Sequence, residues 1–128
     1  MPNNNTMVTA NFEEIEKITF LDYFPDVNLA QVVANRFSRA VTDEVTEDEL
    51  NHLTGMISGN YRDISNLEGV QHLTGISHLY LIGNKLTNEN LEPLSQLPNL
   101  MMLFIDENQI TDLSIFDDSI NPLFTIWL

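Results

Sequence analysis

Cysteine is absent from the 128 residues, basic side chains number five, and tryptophan appears once. The lack of cysteine excludes disulfides and thiolate metal sites, though it leaves the compartment open because a packed core can dispense with bridges. Five bases against 19 acids give a net charge of −14, and Lys85 is the only base after Arg62. A surface of that sign repels nucleic acid and acidic membranes. No run of about eighteen apolar residues occurs, so no membrane insertion is expected. Met1–Thr6 has neither a positive n-region nor an apolar h-region, so the chain as written carries no export signal. A glycine-rich phosphate loop, a G-x-S-x-G elbow and a basic aromatic face are all missing.

What is present suits one domain with a modest, continuous core. Residues 1–19 read as a flexible leader, polar and Asn-rich over the first eleven. From Asp26 to Phe37 the apolar residues Leu29, Val32, Val33 and Phe37 recur at helical spacing, with Asp26 placed to cap the start. Thr46 and Glu49 form a T-x-x-E capping box, predicting a second helix from about Glu47 to Leu53. Residues 20–54 are thereby assigned to a helical cap.

Beyond the cap the periodicity changes. Leucine or a relative falls at Ile64, Leu67, Val70, Leu73, Ile76, Leu79, Leu81, Leu86, Leu91, Leu94, Leu97, Leu100, Leu103, Ile105, Ile110 and Leu113. Ile76-x-x-Leu79-x-Leu81-x-x-Asn84-x-Leu86 aligns with Leu100-x-x-Leu103-x-Ile105-x-x-Asn108-x-Ile110 at an offset of 24 (108 − 84). This is the leucine-rich-repeat signature. Alternating leucines turn one face of a short strand inward, and the Asn side chain bonds backbone groups where the chain leaves the strand. The fold class is an α/β solenoid with short parallel strands on its concave face, and residues 55–128 form about three repeats. A last partial unit, Leu123-x-x-Ile126-x-Leu128, ends within a further strand. The first unit is irregular, approximated by Leu53, Met56, Asn60 or Tyr61, and Ile64. Asn88-Glu89-Asn90 adds two residues, expected to bulge the convex side without disturbing strand register.

The cap and repeats resemble the N-terminal region of the internalins, leucine-rich-repeat surface proteins of Gram-positive bacteria. Phe24-Pro25-Asp26-Val27-Asn28-Leu29-Ala30 and Val41-Thr42-Asp43-Glu44-Val45-Thr46-Glu47-Asp48-Glu49-Leu50 are similar to the family's cap. Ile64-Ser65-Asn66-Leu67-Glu68-Gly69-Val70-Gln71-His72-Leu73 is similar to its first-repeat segment. The resemblance implies a secreted or surface location and a concave face that grips host-cell receptor proteins.

The residue between the two strand leucines faces outward on the concave side, and those positions hold Tyr80, Phe104 and Trp127. Exposed aromatics mark binding sites, although the same rings can simply pack on one another to cover the ladder. His78, Ile82, Met102, Asp106 and Glu107 are the neighbouring concave positions, giving the stripe an acidic margin suited to a protein partner with a basic rim. The competing reading is a structural fragment that self-associates through the C-terminal edge.

Catalysis is not expected. Asp106 with Glu107, and Asp117 with Asp118, are adjacent residues whose side chains splay apart. His52, His72 and His78 fit no zinc spacing. Asp22, Asp26, Asp43 and Glu44 offer oxygens for calcium, with a solvated acidic surface the plainer reading. No metal and no cofactor are assigned.

Overall fold

The computed structural model describes residues 17–118 and 125–128. Most of the expected leader and Leu123, which opens the expected last unit, lie outside the described residues.

The cap begins with a short helix that the helical spacing did not suggest, α1 (Phe20–Tyr23). Thr19 and Asp22 close a capping box around its start, the Thr19 amide donating to Asp22 Oδ2 at 2.8 Å. The Val45 amide donates to the Ile18 carbonyl, so Ile18 and Thr19 belong to the folded cap along with residue 20 onward. Helix α2 (Val27–Arg36) starts at Asp26, whose Oδ1 accepts from the amides of Asn28 and Leu29 at 3.0 and 3.2 Å. Its other oxygen accepts from the amides of Ser65 and Asn66 at 2.8 and 3.1 Å. One carboxylate therefore satisfies a helix start and pins the first repeat to it.

Helix α3 (Glu47–His52) carries the expected Thr46–Glu49 capping box. Glu49 also receives both terminal nitrogens of Arg39, at 3.1 and 2.5 Å. The Arg39 fork and the Thr46 amide hold the Glu49 carboxyl at about 2, against an ordinary value of 4.5. Its contribution to stability is whole above that ordinary value and is lost as pH falls toward 2. We expect the difference in thermal midpoint between the wild-type chain and Glu49→Gln to shrink through this window. A difference that is flat with pH would show that the pair does not contribute to folding. The effect is small, because both side chains are about one-third exposed.

Four strands follow in one parallel sheet of order β1-β2-β3-β4: Gly55–Ser58, Ile76–Tyr80, Met102–Phe104 and Thr125–Trp127. Ile57, Leu79, Leu103 and Ile126 stand opposite one another in register. The steps between them are 22, 24 and 23 residues (57 to 79, 79 to 103, 103 to 126), so strands stay aligned while the connections vary. The two extra residues enter a 3-10 helix, Asn88–Leu91, on the return path. There Asn90 Nδ2 donates to the Ser65 carbonyl and Asn88 Nδ2 to Thr111 Oγ1, so the insertion joins the turns on either side.

Every leucine-type position named from the spacing is buried except Leu113, which packs half-buried against the same cluster. Leu79, Leu81, Leu103 and Ile105 share one interior with the cap residues Phe20, Phe24, Leu29 and Leu50. This is one continuous core from cap to last rung, as a solenoid requires. Asn84 lies inside it. Its Oδ1 accepts from the Arg62 and Ile64 amides, both at 3.0 Å, and its Nδ2 donates to the carbonyls of Gly59 and Ile82. Asn108 repeats the arrangement one turn later, accepting from the Leu86 amide and donating to Leu81.

The first unit corrects the sequence reading. Its inward residue is Ile57, fully buried, while Met56 is on the exposed side. Among the described residues no helix is long and apolar enough to cross a membrane.

Candidate functional site

Register converts the sequence positions into columns across the concave face. The first column runs Met56, His78, Met102, Thr125, and the second Ser58, Tyr80, Phe104, Trp127. Just past the strands, Ile82 stands between Asn60, whose side chain accepts from the Ile82 amide at 2.8 Å, and Asp106. The aromatic column thus begins at the second rung, with Ser58 holding the equivalent place on β1.

Tyr80 and Phe104 stack with centroids 4.5 Å apart and planes 4° from parallel, and Phe104 and Trp127 stack at 5.7 Å and 9°. The packing alternative is realised: the rings stack on one another, and the stripe they form stays accessible to solvent. Tyr80 and Phe104 are half-buried, while Trp127 at the edge is 52% exposed. Parallel strands in register impose this geometry, because equivalent residues sit one strand spacing apart, about 5 Å.

His78 and Met102 flank the stripe on the first column, with Ser77 Oγ 2.8 Å from the His78 ring nitrogen Nδ1. Ile82 and Asp106 flank it on the other side. Glu107, expected at a neighbouring concave position, lies beyond the strand. Strand β3 ends at Phe104, and Glu107 adopts a left-handed backbone (φ +59°). Its carboxylate accepts from the Tyr61 hydroxyl at 2.8 Å.

Tyr61, an exposed aromatic assigned no role at the sequence level, lies across Gly83 to make that bond, leaving no space for a side chain there. The acceptor and the charge of Glu107 raise the Tyr61 phenol above its ordinary value. Tyr61, Gly83 and Glu107 occupy equivalent places on successive turns, and all three have positive φ. Only the glycine announces such a conformation in sequence. Asp106 keeps one buried carboxylate oxygen, Oδ1, without a hydrogen-bond partner among the described residues.

Among the described residues no three His, Asp or Glu side chains gather as metal ligands. The cap acids considered for calcium are engaged elsewhere. Asp22 closes the Thr19 box, Asp26 holds four backbone amides, Asp43 accepts from the Ala40 amide at 2.7 Å, and Glu44 faces Lys17 at 3.8 Å. A calcium loop instead converges six or more oxygens on one point, which this set does not do. A 580 Å³ cleft beside them is lined by Arg39 and Glu49, already paired to each other.

Comparison with known proteins accords with this architecture. The family model described as "Internalin, EF-hand domain" matches residues 17–51, the capping segment. Internalin J of Listeria monocytogenes is 36% identical over 73 residues, which are 57% of this chain and 8% of that protein. The crystal structure of the internalin InlF from the same organism superposes with a TM-score of 0.78 at 30% identity, over 90% of this chain and 33% of that one. Internalin C2, also from Listeria monocytogenes, gives 0.77 at 26% identity, over 88% of this chain and 48% of that one. The chain spans less than half of each of these relatives. With a cap, repeats and one core running through both, the chain is a capped leucine-rich-repeat solenoid similar to those of the internalin family.

Proposed function

We propose that the chain is the protein-binding module of a bacterial surface or secreted protein, and that it contacts a host protein through the concave stripe of Tyr80, Phe104 and Trp127 without catalysing a reaction. The observation that carries the reading is the in-register stack itself, three aromatic rings held rigid and half open to solvent on a curved face. Rigid aromatics supply contact area at little cost in side-chain entropy, which is why they dominate protein interfaces. Asp106 and Glu107 add negative charge at one end, suiting a partner with a basic rim.

Trp127 and Tyr80 are the informative sites for substitution, because each has one stacking neighbour in the stripe while Phe104 has two. Trp127→Ser and Tyr80→Ser should each cost about 1 kcal/mol of stability. Each should weaken saturable binding of the labelled chain to host-cell surfaces by about thirtyfold, as loss of an interface anchor does. Saturable binding that both variants retain would remove the stripe from the contact. Self-association is the competing use of the same surface, since Trp127 at the end of β4 and Leu128 just after it are 52% and 59% exposed. Sedimentation over a range of concentrations separates the two. An oligomer abolished by Trp127→Ser, with no cell binding, would give the stripe to a second copy.

A further inference from the structure

Three of the five bases are paired: Lys17 with Glu44 at 3.8 Å, Arg39 with Glu49 at 2.5 Å, and Lys85 with Asp63 at 3.5 Å. Arg36 and Arg62 have no carboxylate partner among the described residues, although the chain carries 19 acids. Both exposed side chains line the same cleft of 260 Å³ between α2 and β1, with Val32, Asn35, Met56 and Ser58. No acidic residue contributes to its wall.

The cleft's polar groups are mainly donors. Arg36 is held in place by donating to the backbone carbonyls of Met56 and Thr54, which orient the guanidinium without neutralising it. Two of its five N–H groups are engaged in this way, leaving three. The Asn35 side-chain oxygen accepts from Gln31 at 2.8 Å, which leaves the amide nitrogen to donate. Ser58 adds a hydroxyl. Two guanidiniums, an amide nitrogen and a hydroxyl around one space are complementary to an anion that accepts from forked donors.

We propose that this cleft receives the carboxylate of a Glu or Asp side chain from a protein docked on the concave face. The place of Ser58 connects the two surfaces: it lines the cleft and pairs with Tyr80 across the sheet, one strand spacing of about 5 Å from the stripe. A polyphosphate or an anionic membrane would meet the whole net charge of −14, whereas a single carboxylate on a protein brings one charge to a local positive site. The concave surface is then bipolar, positive where it meets the cap and negative at Asp106 and Glu107. A partner with an acid at one end and bases at the other is accepted in one orientation only. That the acid comes from a docked protein rests on the stripe being the docking face; the cleft's affinity for a carboxylate does not.

The test is an NMR titration of the isotope-labelled full chain at low salt with acetyl-Gly-Glu-Gly-amide. Acetyl-Gly-Gln-Gly-amide serves as the neutral control, and inorganic phosphate and phosphatidylserine vesicles as competing anions. The Glu peptide should move the Arg36 Nε–H, the Asn35 side-chain amide and the Ser58 backbone amide saturably, and the Gln peptide should not. Arg62→Glu should weaken the response at least about tenfold, the loss of a charge-assisted hydrogen bond. Arg62→Gln should act in the same direction, and Trp127→Ser should leave the titration intact. The proposal is overturned by an equal response to the Gln peptide, by an Arg62→Glu titration like the wild type, by shifts centred elsewhere, or by tighter binding of phosphate or vesicles. If the peptide binds as expected while cell-surface binding is indifferent to Trp127→Ser and Tyr80→Ser, the stripe reading fails and the carboxylate site stands.

Discussion

Replacing Asn84 with alanine should lower the stability of the chain by about 3–5 kcal/mol, a fall of roughly 10–20 °C in thermal midpoint for a domain of this size. The side chain is 6% exposed and serves four backbone groups on two successive turns of the coil. Alanine removes all four bonds and leaves the Ile64 amide and Gly59 carbonyl buried, each without its partner from Asn84. Leucine in place of Asn84 would fill the volume and still leave those groups unmatched, so it should not rescue. Asn108→Ala, at a half-buried site one turn later, should lose less, about 1–3 kcal/mol. Equal and small losses at both positions, measured by urea unfolding, would mean that water replaces the amide and that the asparagines are not structural.

Gly69→Ala should be comparably damaging, at about 3–6 kcal/mol. Gly69 has φ +102°, a conformation that L side chains rarely adopt, and a methyl there would sit 2.2 Å from the Tyr23 carbonyl oxygen and 2.6 Å from the Phe24 ring. The obstructing carbonyl belongs to the end of α1, so relief requires the cap to move away from the first repeat. Gly83→Ala provides the contrast. Its methyl would meet the Tyr61 ring at 2.2 Å, but that ring is 63% exposed and can swing aside. The expected loss is about 1 kcal/mol, mostly from the left-handed backbone. Hydrogen exchange should show the cap amides, Phe24 among them, losing protection first in Gly69→Ala. Protection retained throughout the cap in a chain of unchanged stability would contradict the account of this junction.

The repeats were legible because their spacing is imposed by geometry. Strand neighbours must alternate, and the Asn must stand where the chain turns, so Leu79, Leu81 and Asn84 announce one another. The helix starts at Asp26 and Thr46 were legible for a similar reason, since capping is local. Thr19 and Asp22 carry a shorter version of the same pattern, yet they border only four helical residues, too few for apolar periodicity to support them. On β1 two apolar residues are adjacent, and the spacing points to Met56 where Ile57 is the inward one. The irregularity between Gly55 and Met56 shifts the register by one and sends Ile57 inside. Glu107 follows the end of β3 by three residues, and nothing local marks its left-handed backbone. Tyr61 reaches Glu107 across 46 positions. Arg36 and Arg62 belong to no motif; only the meeting of α2 with β1 brings them to one cleft.

The stacking of Tyr80, Phe104 and Trp127 also fixes which part of each ring a visitor can touch. With planes within 4° and 9° of parallel along the ladder, the π faces are turned toward neighbouring rings and the perimeters point away from the sheet. Ring hydrogens carry the positive part of the aromatic quadrupole, so this perimeter attracts carbonyl oxygens and the π clouds of incoming rings set at right angles. Flat groups that cling by lying on an aromatic face, as sugar rings do, find few such faces free along the stripe. If the stripe is the docking face proposed above, the stack favours peptide over glycan as its partner.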